Sequence, residues 1–169
     1  LLIEQLNDMR FLAPPAIDLS FLLQPATMES SEVRLTGRGR ETRVRGVGFD
    51  AWRFAGAYSD QQLSIHDLEL LAGGLALRGR GEVDFGEGCL EAEVSTDLPS
   101  SHLTSLMPVD WRDRLAEMGW HLGGGVRAEM RIARAPIESL WRSLSGSVFL
   151  DSAVYQGIPI HSGSLDFSC

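Results

Sequence analysis

LALRGRGEVDFGEGCLEAEVSTD (residues 75–97) alternates between apolar and charged residues. Leu75, Leu77, Val83 and Phe85 occupy odd positions, whereas Arg78, Arg80, Glu82 and Asp84 occupy even ones. Beyond Gly86–Gly88 the alternation resumes, with Leu90, Ala92 and Val94 set against Glu91, Glu93 and Ser95. Side chains of a strand point to opposite faces with a period of two. The stretch therefore predicts a hairpin with one apolar and one charged face. What the apolar face covers, a closed core or a non-protein ligand, is the question the rest of the chain has to answer.

The same parity recurs on both sides. AIDLSFLLQP (16–25) alternates Ile17, Leu19, Phe21 and Leu23 with polar residues, and Pro25 closes it. SEVRLTGRG (31–39) gives a further strand, and TRVRGVGFDAWRFAGAY (42–58) gives two strands or one long bent strand. In LSIHDLELLAG (63–73) the apolar parity changes between Ile65 and Leu68, so a bulge at His66–Asp67 is expected to restore the facing. VRAEMRIAR (126–134) alternates Val126, Ala128, Met130 and Ile132 with Arg127, Glu129 and Arg131.

Helices are few. LLIEQLNDM (1–9) reads as a short one, and a helical insertion is expected over 99–120. In the insertion, Ser100–Ser101 and Asp110 are the expected caps. Trp111, Leu115 and Met118 share a face expected to pack on the sheet. A helical turn is expected near 136–141. The expected fold is mainly β, with eight to ten strands. It is a strongly curved antiparallel sheet carrying two or three short helices at its edge. Residues 1–169 are read as a single segment of a longer chain, continuing at both ends.

The chemistry-bearing residues are sparse. The net charge of −8 argues against nucleic acid as a partner. His66, His102, His121 and His161 lie apart from one another and from both cysteines, so no metal-binding spacing is present and no cofactor is expected. No G-x-S-x-G elbow occurs. The carboxylate pairs Glu82/Asp84 and Glu91/Glu93 share their face with Arg78 and Arg80, which reads as cross-strand ion pairing rather than acid–base catalysis. Arg34, Arg38, Arg40, Arg43 and Arg45 form the one local basic cluster. It is read as a solvated strand face, with contact to anionic lipid headgroups as the functional alternative.

LSIHDLELLAGGLALRGRGEVDFGEGCLEAEV (63–94) resembles the AsmA-like proteins of bacterial envelopes, in which an L-x-L-x-G-x-G-x-V-D strand leads to a further alternating strand. SLSGSVFLDSAVYQGIPIHSGSLDFS (143–168) is similar to that family's closing pattern, with its Y-x-G-x-P-I turn. The resemblance covers about 60–169 well and 1–59 loosely. It implies a taco-shaped periplasmic β-groove along which lipids pass between inner and outer membranes, in a parent anchored in the inner membrane. It implies no catalysis. On that reading Leu75, Leu77, Val83, Phe85, Leu90, Ala92, Val94, Val126, Ala128, Met130 and Ile132 line one concave apolar surface for phospholipid or another lipid. Two other readings stay open. One is a structural or adhesive β-solenoid of a secreted surface protein, in which the same residues form a closed core. The other is a glycan-acting enzyme using strand carboxylates in a cleft lined by Trp52, Trp111, Trp120 or Trp141.

Overall fold

The computed structural model describes residues 9–22 and 32–168, which fold into one antiparallel sheet of eleven strands. The central seven follow chain order as neighbours: β3 (Glu32–Val44), β4 (Val47–Ser59), β5 (Gln62–Ala72), β6 (Leu75–Asp84), β7 (Cys89–Thr96), β8 (Trp120–Pro136) and β9 (Leu144–Tyr155). Two strands line each edge. β1 (Met9–Phe11) and β2 (Ala16–Leu22) both pair with β3; β10 (Ile158–Ile160) and β11 (Gly163–Ser168) both pair with β9. The sheet is curved and does not close on itself. The fold is mainly β, as the alternation predicts. The helix expected over 1–9 lies outside the described residues except for Met9, which begins β1. The proposed stop at Pro25 also lies outside them.

Hairpin chemistry fixes the register. Residues 45–46, 60–61, 73–74 and 156–157 each form a two-residue connection with positive φ at both positions. This is the turn whose twist matches that of the flanking strands. Where the pairing irregularity falls, the facing is kept. In β5 the register shifts between Ile65 and Leu68, at the expected bulge, so Leu63, Ile65, Leu68 and Leu70 all face one side. A second shift, between β7 and β8, leaves Ala133 and Arg134 both exposed and returns Ala135 to a buried site. In β3 the facing changes at Glu41 (φ 51°), beyond which Thr42 is buried and Val44 packs on the core.

Two glycines in β3 have a steric reason. Trp52 lies over Gly39 and Phe54 over Gly37, so a Cβ at either glycine would fall 2.5 Å from Trp52 Nε1 or 2.4 Å from the Phe54 ring. The two rings stack at 6.0 Å with an interplanar angle of 8°. The bare backbone of GRG (37–39) thus admits the aromatics of WRF (52–54), and their area replaces the side chains that glycine lacks.

The buried core gathers at one end of the sheet. α1 (Ser100–Leu106) and α2 (Val109–Glu117) connect β7 to β8. Leu98 is fully buried and Leu103 nearly so, in a cluster with Val47, Phe49, Ala72, Val126, Ala128, Leu150 and Ala153. Strands β4 and β9 are five places apart in the sheet but share this cluster, so the apolar face curls around α1 there. The Arg45 guanidinium donates to the carbonyl oxygens of Leu106 (2.9 Å) and Met107 (3.1 Å), satisfying acceptors at the helix C-terminus.

Three helical expectations need correction. Ser100–Ser101 and Asp110 are not the caps: Pro99 and Pro108 occupy those positions, without side-chain cap bonds. Each proline carbonyl accepts the first helical N–H groups, and the Ser105 hydroxyl donates back to the carbonyl of Ser101 (2.9 Å). The face formed by Trp111, Leu115 and Met118 is packed only in part. Trp111 and Leu115 are half-buried, and Met118 is 53% exposed. The reason is position. α1 already fills the end of the sheet, and Pro108 turns α2 out to the rim against β8. The turn expected near 136–141 is a 3-10 helix over Ile137–Ser143.

Candidate functional site

Directly opposed residues in neighbouring strands share a face. Leu77 opposes Leu70, and Val83 opposes both Leu63 and Leu90. Ala92 opposes Ile132, Val94 opposes Met130, and Ala128 opposes Val148. With Val126 opposite Leu150, nine of the eleven residues singled out from the sequence lie within the strands on one face. The other two sit at its ends. Leu75 begins β6 and is 37% exposed. Phe85 follows β6, and its ring lies 6.4 Å from that of Tyr58.

The face is wider than the alternation in residues 75–97 reveals. Pairing adds Phe54 and Tyr58 of β4, then Val33 and Leu35 of β3, then Ile17, Leu19 and Phe21 of β2. On the far side it adds Leu144 of β9 and Leu165 and Phe167 of β11. It crosses nine strands, from β2 to β11, which is about 38 Å at the usual strand spacing. Each of these segments alternates, so the signal is present; what the sequence lacks is the register that joins them.

Among the described residues α1 covers one end of this face, and away from it Trp52, Val83 and Ala135 are also buried. Towards the other end Leu63, Ile65, Leu90, Ala92, Val94, Met130 and Ile132 are all half-exposed. On β2, exposure rises to 54% at Ile17, 56% at Leu19 and 65% at Phe21. The result is a contiguous apolar surface, floored by backbone whose polar groups are paired in the sheet.

The charged face is as expected an array of ion pairs. Arg78 Nε lies 2.9 Å from Glu69, Arg80 Nε 2.7 Å from Glu93 and Arg131 Nη2 3.5 Å from Glu91. Arg134 bridges Asp84 (2.8 Å) and Glu87 (2.7 Å) across the β6–β7 turn. Asp84 also accepts the backbone N–H of Glu87 (2.9 Å) and the Gln62 amide (3.3 Å). The Glu87 N–H, then Gln62 and Arg134, hold its carboxyl below the usual value against the opposing effect of burial.

Two shallow troughs of about 540 and 510 Å³ also lie on this charged face; His66, Arg80 and Glu93 line both. The expectation of a single concave apolar surface therefore needs refining. A twisted sheet is hollow along one diagonal on each face, so the apolar side is concave around α1 while the charged side is hollow near its middle. The troughs hold no tryptophan. Trp52 is buried on the apolar face, Trp111 is on α2, and Trp120 packs on Tyr155 at 4.7 Å. The Trp141 side chain lies outside the described residues.

No family model, no curated protein and no solved structure matches this chain.

The basic cluster divides. Arg45 binds the end of α1, and Arg34 pairs with Glu32 at 2.7 Å. Arg38, Arg40 and Arg43 remain exposed on the outer side of β3. Among the described residues no group of three or more His, Cys, Asp or Glu side chains is placed to hold a metal ion. No described helix is long and apolar enough to cross a membrane.

Proposed function

We propose that this chain is a segment of an AsmA-like envelope protein whose open apolar face shields lipid acyl chains as they move between membranes, without catalysing a reaction. One observation supports the reading: a contiguous apolar band across nine strands on which, among the described residues, Leu63, Ile65, Leu90, Val94, Met130 and Ile132 stay partly exposed away from α1. An exposed apolar surface of that extent marks a binding surface. A hydrocarbon chain asks nothing of its host except dry apolar contact, worth about 0.8 kcal/mol per buried CH₂. The band is long enough for this guest, since half the hydrocarbon thickness of a bilayer is about 15 Å. On this reading phospholipid is the cargo and the periplasm the location, and the parent's inner-membrane anchor and the outer membrane mark the two ends of the route. The β-solenoid alternative needs Leu63, Ile65, Met130 and Ile132 in a closed core. Their half-exposure favours the open face.

The test is in-cell photo-crosslinking in the full-length protein. A crosslinker at Leu90 or Val94 is expected to capture phospholipid, and one at Arg80 or Glu93 is not. These positions differ in facing and not in neighbourhood. Absence of lipid at every apolar position overturns the proposal.

A further inference from the structure

The edge formed by β1, β2 and β3 differs from the rest of the sheet in two ways. The first is charge. Elsewhere on the outer face most arginines of the sheet have a carboxylate partner, as at Arg78, Arg80 and Arg131, while Arg127 lies over the Phe149 ring at 5.7 Å. Near this edge arginine faces arginine. Arg38 is directly opposite Arg53, and Arg43 directly opposite Arg10. Like charges so placed repel. Arg53 is relieved by Asp67 (3.4 Å) and Glu69 (3.1 Å). Arg10, Arg38, Arg40 and Arg43 have no ion pair among the described residues, although the whole chain carries a net charge of −8. The nearby acids among the described residues do not pair with them. Asp18 lies one step diagonally from Arg38 without pairing, and Asp50 accepts the N–H of Gly73 at 2.7 Å.

The second difference is on the other side of the same strands. Phe11 (44% exposed), Ile17, Leu19 and Phe21 are among the most exposed large apolar residues of the chain. Phe11 contacts Trp52 (5.7 Å between centroids), which puts it on the apolar face. One sheet edge thus presents large apolar side chains on one side and unpaired guanidinium groups on the other. That distribution fits the boundary of a bilayer. Apolar side chains enter about 5–10 Å, to where the acyl chains begin, and arginine meets phosphate at headgroup level. Water at that level still satisfies the open N–H and C=O groups of the edge strands.

We propose that the β1–β2–β3 edge docks on the surface of an anionic phospholipid bilayer, with Arg10, Arg38, Arg40 and Arg43 contacting lipid phosphates. The acyl-shielding reading does not require this docking. Docking gives the apolar face a defined point of contact with the membrane that supplies or receives its cargo. The rest of the acidic surface is repelled by the same bilayer, so only this edge leads.

The test is flotation of the whole chain with phosphatidylcholine vesicles, with and without phosphatidylglycerol. Binding is expected only to the anionic vesicles and is expected to weaken with salt. Each arginine near such a surface contributes about fivefold, so Arg38→Gln/Arg40→Gln/Arg43→Gln is expected to lose about a hundredfold. Arg78→Gln/Arg80→Gln/Arg131→Gln, with the same change in net charge, is expected to lose little. Arg38→Gln alone relieves the repulsion with Arg53, so it keeps the fold and still loses about fivefold. Equal binding to uncharged vesicles, equal loss in both triple variants, or displacement by inorganic phosphate at constant ionic strength overturns docking. Lipid crosslinking at Val94 is a separate readout, so either proposal can fail without the other.

Discussion

Met130→Asp separates an open apolar face from a closed core. Met130 lies opposite Val94 in the β7–β8 register and is half-exposed. Complete burial of such a side chain is worth about 1.5–3 kcal/mol, so losing a half-buried one costs about 1 kcal/mol. The new carboxylate reaches water along the open face and escapes the desolvation penalty of a buried charge. In a chain of this size that is a fall of about 2–4 °C in Tm. Leu98→Asp is the contrast. Leu98 is fully buried beside α1, so the same charge is trapped and the loss is expected to exceed about 4 kcal/mol. The assay pairs thermal and urea unfolding of both variants with lipid capture by a crosslinker at Val94. For Met130→Asp the expected result is a folded, normally abundant protein whose Val94 no longer captures lipid, because a charge now interrupts the dry path directly across from it. If Met130→Asp unfolds the protein as completely as Leu98→Asp, the face is a closed core and the reasoning is refuted.

Two further outcomes follow from local geometry. Gly37→Val is expected to destabilise by about 1–3 kcal/mol, because the Phe54 ring occupies the place of its Cβ. Combined with Phe54→Ala the penalty is expected to be less than additive, and an additive double-mutant cycle in urea would contradict the contact. Asp84 has a lowered folded-state pKa, so its contribution is full above the ordinary carboxylate range and is lost as pH falls through the lowered value. Asp84→Asn is therefore expected to flatten the acid limb of the stability profile and to lower stability at neutral pH; an unchanged acid limb contradicts this assignment.

The sequence by itself determined which residues alternate and so the two-faced character of each strand. It also located the bulge at His66–Asp67, because a parity change between Ile65 and Leu68 has no other economical resolution in a strand. These are local properties, set by a side-chain period of two. The helices show where local reading stops. Trp111, Leu115 and Met118 have the spacing of a packed face, yet Met118 is exposed, because whether a face finds a partner depends on which helix occupies the core. Ser100 and Asp110 have cap chemistry, yet the prolines before them take the positions. Only the tertiary structure joined Ile17, Tyr58, Val83, Met130 and Leu165 into one surface. It also placed GRG beneath two rings, sent Arg45 to a helix end and left Arg38 facing Arg53. All of these depend on register between strands, set by turn geometry and bulges. A shift of one residue reverses a whole strand's facing while its own sequence pattern stays the same.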